Sequence, residues 1–595
     1  MTIKQAFAGK RSQSWIALLI ICATVITAFA VLAFPTAAAS ISSSADDKIT
    51  TTQSASGGSI QLFEANLSGA SEVPAVDTMA SGRAVLAVSA DQSMLYYRVM
   101  VHDISGVTKA HIHQGGVGEN GSSIITLFNG EGTFDEDNPV SGSAALTAEQ
   151  LATLQAGNYY INVHTEANPP GEVRGQISSY TPPSSFNALL TGSEEVPAVS
   201  TNAVGVARLG LMSNTLTYTV EVSNIMSITK AHIHMAPAGQ NGSSVITLFD
   251  GSGSFDADNP ISGTATLTAT HLVDLLTSHY YINVHTEANP PGEIRGQIGG
   301  ARLFNTTLSG ANEVPPVETS ASGEAIVALN AAADMIYYRV MVSNIMSITK
   351  AHIHQAPAGE NGSSIITLFD NSNPDSGTFD PDNPVSGSSP LTTAQLLDML
   401  SGNHYINVHT ETHGPGEIRG QLARYTPPSE FNTTLSGANE VPAVETSASG
   451  SAHFELKANL PRLHYQVSVS DIMSVTKAHI HKGAAGTNGS SIFTLYNSTR
   501  TNALSTFDPD NPVGGAFALN AENLVDLLTN HYYVNVHTEA NPPGEVRGQI
   551  TASSDPTAVS IGAFDANSTS GTLSLALLAL AFTTVGGAFL LWRRR

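Results

Sequence analysis

"TKAHIHQGGVGENGSSIITLF" occupies residues 108–128, and the fold follows from how it is read. Ala110, His111, Ile112 and His113 alternate apolar with polar, the period of two that marks a half-buried β-strand. Side chains two apart on a strand share a face, so Ile112 is expected in a core. His111 and His113 then project together from the other surface, roughly 6.5–7 Å apart at the backbone. Asn120 and Gly121 suit a two-residue type I′ turn, which needs positive φ at both centres, and "SSIITLF" resumes the strand pattern after them. The stretch predicts a hairpin.

Its first six letters return at Thr229, Thr349 and Thr476. From His111 to His232, His352 and His479 the steps are 121, 120 and 127 residues, so the 595-residue chain carries four copies of one unit. A unit of this length can bury its own core, whereas repeats of about 20–50 residues must stack on neighbours. The copies are placed at 60–180, 184–299, 302–424 and 429–552. Proline-bearing joints, "SYTPPSSF" (179–186) and "RYTPPSEF" (424–431), together with "GGARLF" (299–304), predict a semi-rigid rod of domains.

Within the first copy, "FEANLSG", "RAVLAVSA", "MLYYRVMV", "AHIHQ", "SIITLF", "NYYINVHT" and "EVRGQIS" read as short strands. One helix interrupts them. Thr147 and Gln150 form a capping box before Leu151 and Leu154, and Thr392 with Gln395 repeats it. Thr268 with His271 and Asn520 with Asn523 keep only part of that pattern. The fold class expected is all-β: four tandem β-sandwich or barrel domains, each with one short helix as a crossover.

The chain ends carry a different message. Lys4, Lys10 and Arg11 precede an apolar run from Trp15 to Phe34, so residues 1–39 read as an export signal cut after Ala39, or as an uncleaved anchor. Residues 40–59 are a Ser/Thr-rich stalk and 553–572 a linker. Residues 573–592 are long and apolar enough for a membrane helix, and Arg593, Arg594 and Arg595 form a cytoplasmic stop. The expected setting is the cell surface, with the repeats outside and the membrane a partner through the C-terminal helix. Setting aside the basic residues of these two segments, 19 Lys and Arg face 49 Asp and Glu, a net charge of −30 that argues against nucleic acid as a partner. The single cysteine, Cys22, lies in the export segment, so the exported part has neither disulfide nor thiolate ligand.

A third histidine joins each pair in "YYINVHTEANPPGE". The candidate metal ligands are His111, His113 and His164; His232, His234 and His285; His352, His354 and His409; His479, His481 and His537. Three imidazoles with an open fourth position suit zinc or copper. The other reading is three partly buried rings bonded to backbone. "FDEDNP" (134–139) and its relatives read as Asx-turns before proline rather than calcium loops. Glu172 and Arg174 of "GEVRGQI" are expected to form a charge pair on a final strand, and Pro74 of "EVPAV" marks an edge by the first strand.

"SGASEVPAV", "TKAHIHQGGVGENG" and "YYINVHTEANPPGEVRGQI", in that order and four times over, resemble the chordin-type (CHRD) domain across residues 60–552. The resemblance implies an immunoglobulin-like β-barrel. Chordins antagonise bone-morphogenetic-type growth factors, but the cysteine-rich modules for that task are missing from this sequence, so growth-factor binding does not carry over. "AHIH" before a Gly-rich loop also resembles the copper strand of copper-zinc superoxide dismutase, which would make His111, His113 and His164 copper ligands; no bridging histidine, zinc loop or cysteine pair accompanies them. Two functions are therefore expected: a surface array binding an extracellular protein or polymer for adhesion or scaffolding, or a copper- or zinc-binding protein with possible dismutase-like chemistry. No hydrolase or nucleotide-binding motif is present.

Overall fold

The computed structural model describes residues 59–299, 302–457, 461–499 and 506–553. Both hydrophobic terminal segments expected from the sequence lie outside these residues. Among the described residues no helix is long and apolar enough to cross a membrane.

In the first repeat the strands are β1 (Gln61–Ser68), β2 (Ser81–Val88), β3 (Met94–His102), β4 (Val107–Gln114), β5 (Ser123–Phe128), β6 (Val140–Ala145), β7 (Tyr159–Thr165) and β8 (Val173–Gln176), with helix α1 (Ala148–Gln155) between β6 and β7. They pair antiparallel in the order β5-β4-β7-β8-β1-β2-β3-β6, and the two end strands approach each other, leaving a nearly closed barrel. The other three repeats build the same eight-stranded order. Alternation fills the interior: Phe63, Leu86, Val99, Ile112, Ile161 and Val173 point inward and form one apolar core. The predicted strands are all present. Strand β6, "VSGSAA", has no counterpart among the predicted strands, because small and polar residues on an end strand carry no alternation.

Three local expectations are overturned. The connection from β4 to β5 runs over residues 115–122 and is not a two-residue turn; neither Asn120 nor Gly121 has positive φ. Gly121 is instead required by close approach, since a Cβ there would lie 1.5 Å from the Gln114 carbonyl oxygen. Pro74 sits in the loop after the one-turn helix Gly69–Ser71, not on a strand edge, and β1 is paired on both sides. The capping boxes at Thr268/His271 and Asn520/Asn523 are complete, because the His271 ring nitrogen and the Asn523 carboxamide oxygen accept from the cap backbone as a glutamine would. The Asx-turns are as expected: Asp135 Oδ1 accepts from the backbone of Asp137 and Asn138.

Nor do the barrels form a rod. Helix α2 (Ala269–Leu276) of the second barrel packs on β2 and β3 of the first. Helices α3 (Thr393–Leu400) and α4 (Ala521–Leu528) pack likewise on the second and third barrels. The fourth barrel then returns to the first, where Arg462 reaches Glu64 and Asn66. Buried ion pairs Arg98–Asp274 (3.0 Å) and Arg339–Asp526 (2.9 Å) mark two of these contacts. The short joints permit this because helix and strand surfaces, rather than linker stiffness, bury the apolar area between neighbours.

Candidate metal centre

The ladder between β4 and β7 sets His111 opposite Asn162 and Lys109 opposite His164. Both strands turn these side chains away from the core, so Tyr160, Asn162 and His164 share the outer face with His111 and His113. Two register shifts on the β5 side, flanking His111 and Ile112, interrupt the β4–β5 ladder beside the pair. Bulges of this kind re-aim side chains near functional sites.

The third ring does meet the other two. His111 Nδ1 lies 3.3 Å from His164 Nε2, and one nitrogen from each of the three rings falls within 4.8 Å of the others. His232, His234 and His285, His352, His354 and His409, and His479, His481 and His537 repeat the cluster, with the equivalent pair at 3.2 Å in each. All twelve predicted residues are thus brought together in threes.

Hydrogen bonds fix the tautomers. His113 Nδ1 donates to the Gly121 carbonyl (2.9 Å) and His164 Nδ1 to the Pro169 carbonyl (3.0 Å). A carbonyl can only accept, so both rings carry their proton on Nδ1 and offer a lone pair at Nε2. Among the described residues His113 Nε2 is buried without a partner, as are His234, His354 and His481 Nε2. An orphaned buried acceptor costs about 1–3 kcal/mol, and here the same one recurs four times. Burial, followed by the neighbouring His285 and His234 rings, lowers His232 from 6.5 to about 4; burial also lowers His234 and His285. These rings stay neutral and able to ligate at neutral pH.

Support for the rings comes from residues whose roles the sequence did not disclose. Tyr160 stacks on His113 with centroids 5.1 Å apart, and the Arg174 guanidinium carbon lies 3.5 Å from the Tyr160 ring centroid on a side chain that is almost wholly buried. A buried cation–π contact of this kind contributes about 2 kcal/mol. Arg174 also donates to Asn120 Oδ1 and to the Gly116 and Glu119 carbonyls, clamping the loop that carries Gly121. The expected Glu172–Arg174 pair does not form: Glu172 accepts the Thr78 and Thr165 hydroxyls at 2.8 and 2.6 Å. Glu72, from the "EVPAV" segment, approaches Asn162 Nδ2 at 3.4 Å. The period-two order Tyr160, Asn162, His164 was the available signal that these residues share the histidine face.

Another cluster, His102, Glu136 and Glu455, joins the first and fourth barrels. Lys457 Nζ already bonds both carboxylates there, so an ammonium fills the place of a cation.

Comparison with known proteins agrees with the three recurring motifs. A family model described as the CHRD domain matches residues 63–177, 186–298, 304–422 and 431–550. Chordin of Danio rerio is 26% identical over 313 residues, covering 49% of this chain and 32% of that protein. Chordin of Xenopus laevis is 25% identical over 376 residues, covering 58% of this chain and 38% of that protein. The chain spans about a third of the length of these curated relatives.

Proposed function

The chain belongs to the CHRD-domain family, and on that premise we propose that it is a surface metal-binding protein in which each barrel holds one zinc or copper ion on three histidines. The observation that carries the reading is the orphaned Nε2 of His113, His234, His354 and His481, aimed into a cluster with two further imidazoles. Nitrogens around a tetrahedral ion at about 2.0–2.1 Å stand about 3.3 Å apart, the separation that His111 and His164 already have. His113 and His164 would ligate through Nε2 and His111 through Nδ1, with its proton moved to Nε2.

The carbonyls of Gly121 and Pro169 supply the outer bonds that orient ligating histidines, and Tyr160 holds the His113 ring plane. His111, His113 and His164 are each partly exposed, which leaves room for a fourth ligand from solution. A bound zinc or copper ion would supply Lewis acidity, and copper one-electron chemistry besides. An exported, membrane-tethered position, argued from the two terminal segments, would place four such sites outside the cell. The alternative of a display array for adhesion gains less support, because the helices of the second, third and fourth barrels are packed against a neighbouring barrel and not displayed.

Metal analysis of the purified exported region after zinc or copper loading tests the reading. Four ions per chain are expected from four clusters. His113→Ala with His164→Ala should lower the count by one, and the same change in all four barrels should abolish it. A count near zero in the unaltered protein, or one indifferent to these substitutions, removes the proposal.

A further inference from the structure

We propose that the cavity where the four barrels meet binds a small amphiphilic anion, an apolar body carrying one carboxylate. The cavity has a volume of about 330 Å³, within the range of roughly 300–1,000 Å³ typical of small-molecule sites. Every barrel contributes to its wall: Arg83 and Tyr180 from the first, Phe186 from the second, Tyr337 from the third, Arg462 and Leu524 from the fourth. No carboxylate is among the described lining residues, in a protein with 49 Asp and Glu.

The charges on this wall do not balance. Arg83 is 4% exposed, and the Arg462 side chain is 11% exposed. Both guanidinium groups lean on one carboxylate oxygen, Glu64 Oε2, at 3.5 and 3.6 Å. Arg83 also donates to the Leu276 carbonyl and Arg462 to Asn66 Oδ1, both neutral, and Arg462 Nε is buried with no partner among the described residues. Two cations against one anion leave a surplus positive charge beside an apolar space. A buried charge without a partner is costly, and a ligand that brings a single negative charge offsets that cost. Burial first and repulsion from Arg83 second lower the pKa of Arg462, as expected of two cations held close. The N-terminal end of α4, at Asn520 and Ala521, faces the same cavity and adds partial positive charge. Phe186, Tyr337 and Leu524 supply the apolar surface for the ligand body.

The test titrates decanoate and, separately, decanol into the metal-free four-barrel protein by calorimetry, which keeps the histidine clusters out of the result. One decanoate per chain is expected, bound at least ~10-fold more tightly than decanol, since one net ion pair of about 1.4 kcal/mol is a factor of ten. Arg462→Met should bring the two affinities within about twofold while decanol still binds. Ala331→Trp, at an exposed position on the rim, should weaken both more than ~10-fold by filling the cavity, with an unchanged melting temperature showing that the fold persists. The proposal is overturned if neither ligand binds, if decanol binds as well as decanoate, or if Ala331→Trp changes neither affinity.

Discussion

Glu72→Gln is expected to stabilise the first barrel at pH 8.5 and to do almost nothing at pH 4.5. Glu72 is 7% exposed, and burial pushes its carboxyl from 4.5 up to about 8, against the opposing pull of Arg174 and of the Asn162 amide. A carboxyl raised in this way keeps its proton in the folded state between pH 4.5 and 8, while the unfolded chain loses it. The folded state therefore loses stability as pH climbs through that window, and the loss is complete above it. At about 1.4 kcal/mol per unit the penalty is a few kcal/mol, on the order of 3 once the edge that meets water is allowed for. Glutamine keeps the size of the group and an oxygen for the Asn162 Nδ2 bond, and it never ionises. Hydrogen exchange of the amides in β7 and β8, followed by mass spectrometry, should slow roughly 100-fold at pH 8.5 relative to the unaltered protein, and by less than twofold at pH 4.5. Equal slowing at both values, or faster exchange at pH 8.5, would refute the reasoning, because it would mean that attraction to Arg174 outweighs burial.

Two further outcomes follow from the charges. Arg98→Met should lower the melting temperature more than Arg339→Met: the first leaves Asp274 beside the Tyr280 hydroxyl at 3.5 Å, a neutral and long contact, whereas Asp526 keeps the charged Lys482 Nζ at 2.9 Å. Stranding a buried carboxylate costs about 3–5 kcal/mol, so a smaller loss in Arg98→Met than in Arg339→Met contradicts this assignment. At the second barrel's triad, isolated by substituting the other three, zinc affinity should fall less than ~100-fold between pH 7.5 and 5.5, since burial lowers all three rings below 6.5 and takes His232 to about 4, leaving at most two rings to lose up to about tenfold each. Three ordinary imidazoles would lose roughly a thousandfold over that range, and a loss of that size in calorimetric titration would show that the rings titrate as if exposed.

The barrel was legible where one face of a strand is apolar. Ile112 between two histidines, and Val99 and Val101 within "YYRVMV", declare inside and outside by parity alone. The meeting of the third ring with the pair needed the β4–β7 register, which parity does not give. The role of Arg174 is not legible, because a strand pattern names the face of a side chain but not what covers that face; here loop 115–122 folds over it and turns a surface arginine into a buried clamp. The barrel contacts do have a signal in the sequence. Helix α1, "AEQLATLQ", buries Leu151 and Leu154 only, while α2, "ATHLVDLL", buries Leu272 and Leu275 at the same positions and Val273 and Leu276 besides. A helix apolar on more than one side needs two neighbours, and the second neighbour is the preceding barrel.

Position within the repeat separates what is fixed inside a barrel from what is fixed between barrels. The triads rest on pairing within one sheet, and they recur unchanged in all four copies. The site that pairs with Val85 on β2 is Arg98, and its equivalents are Thr219, Arg339 and Gln466. Arginine at the first and third of these reaches an aspartate on the next barrel's helix, while Gln466 reaches back to Asp77 of the first barrel. The second barrel instead uses Arg208, bonded to Thr393 and Glu221. The barrels are thus joined by contacts of more than one kind, and the central cavity exists only where all of them hold at once. The two proposed sites must then respond differently to the same disturbance. Loosening one junction opens the cavity and releases its anion, while each histidine cluster, complete within its own strands, keeps its geometry.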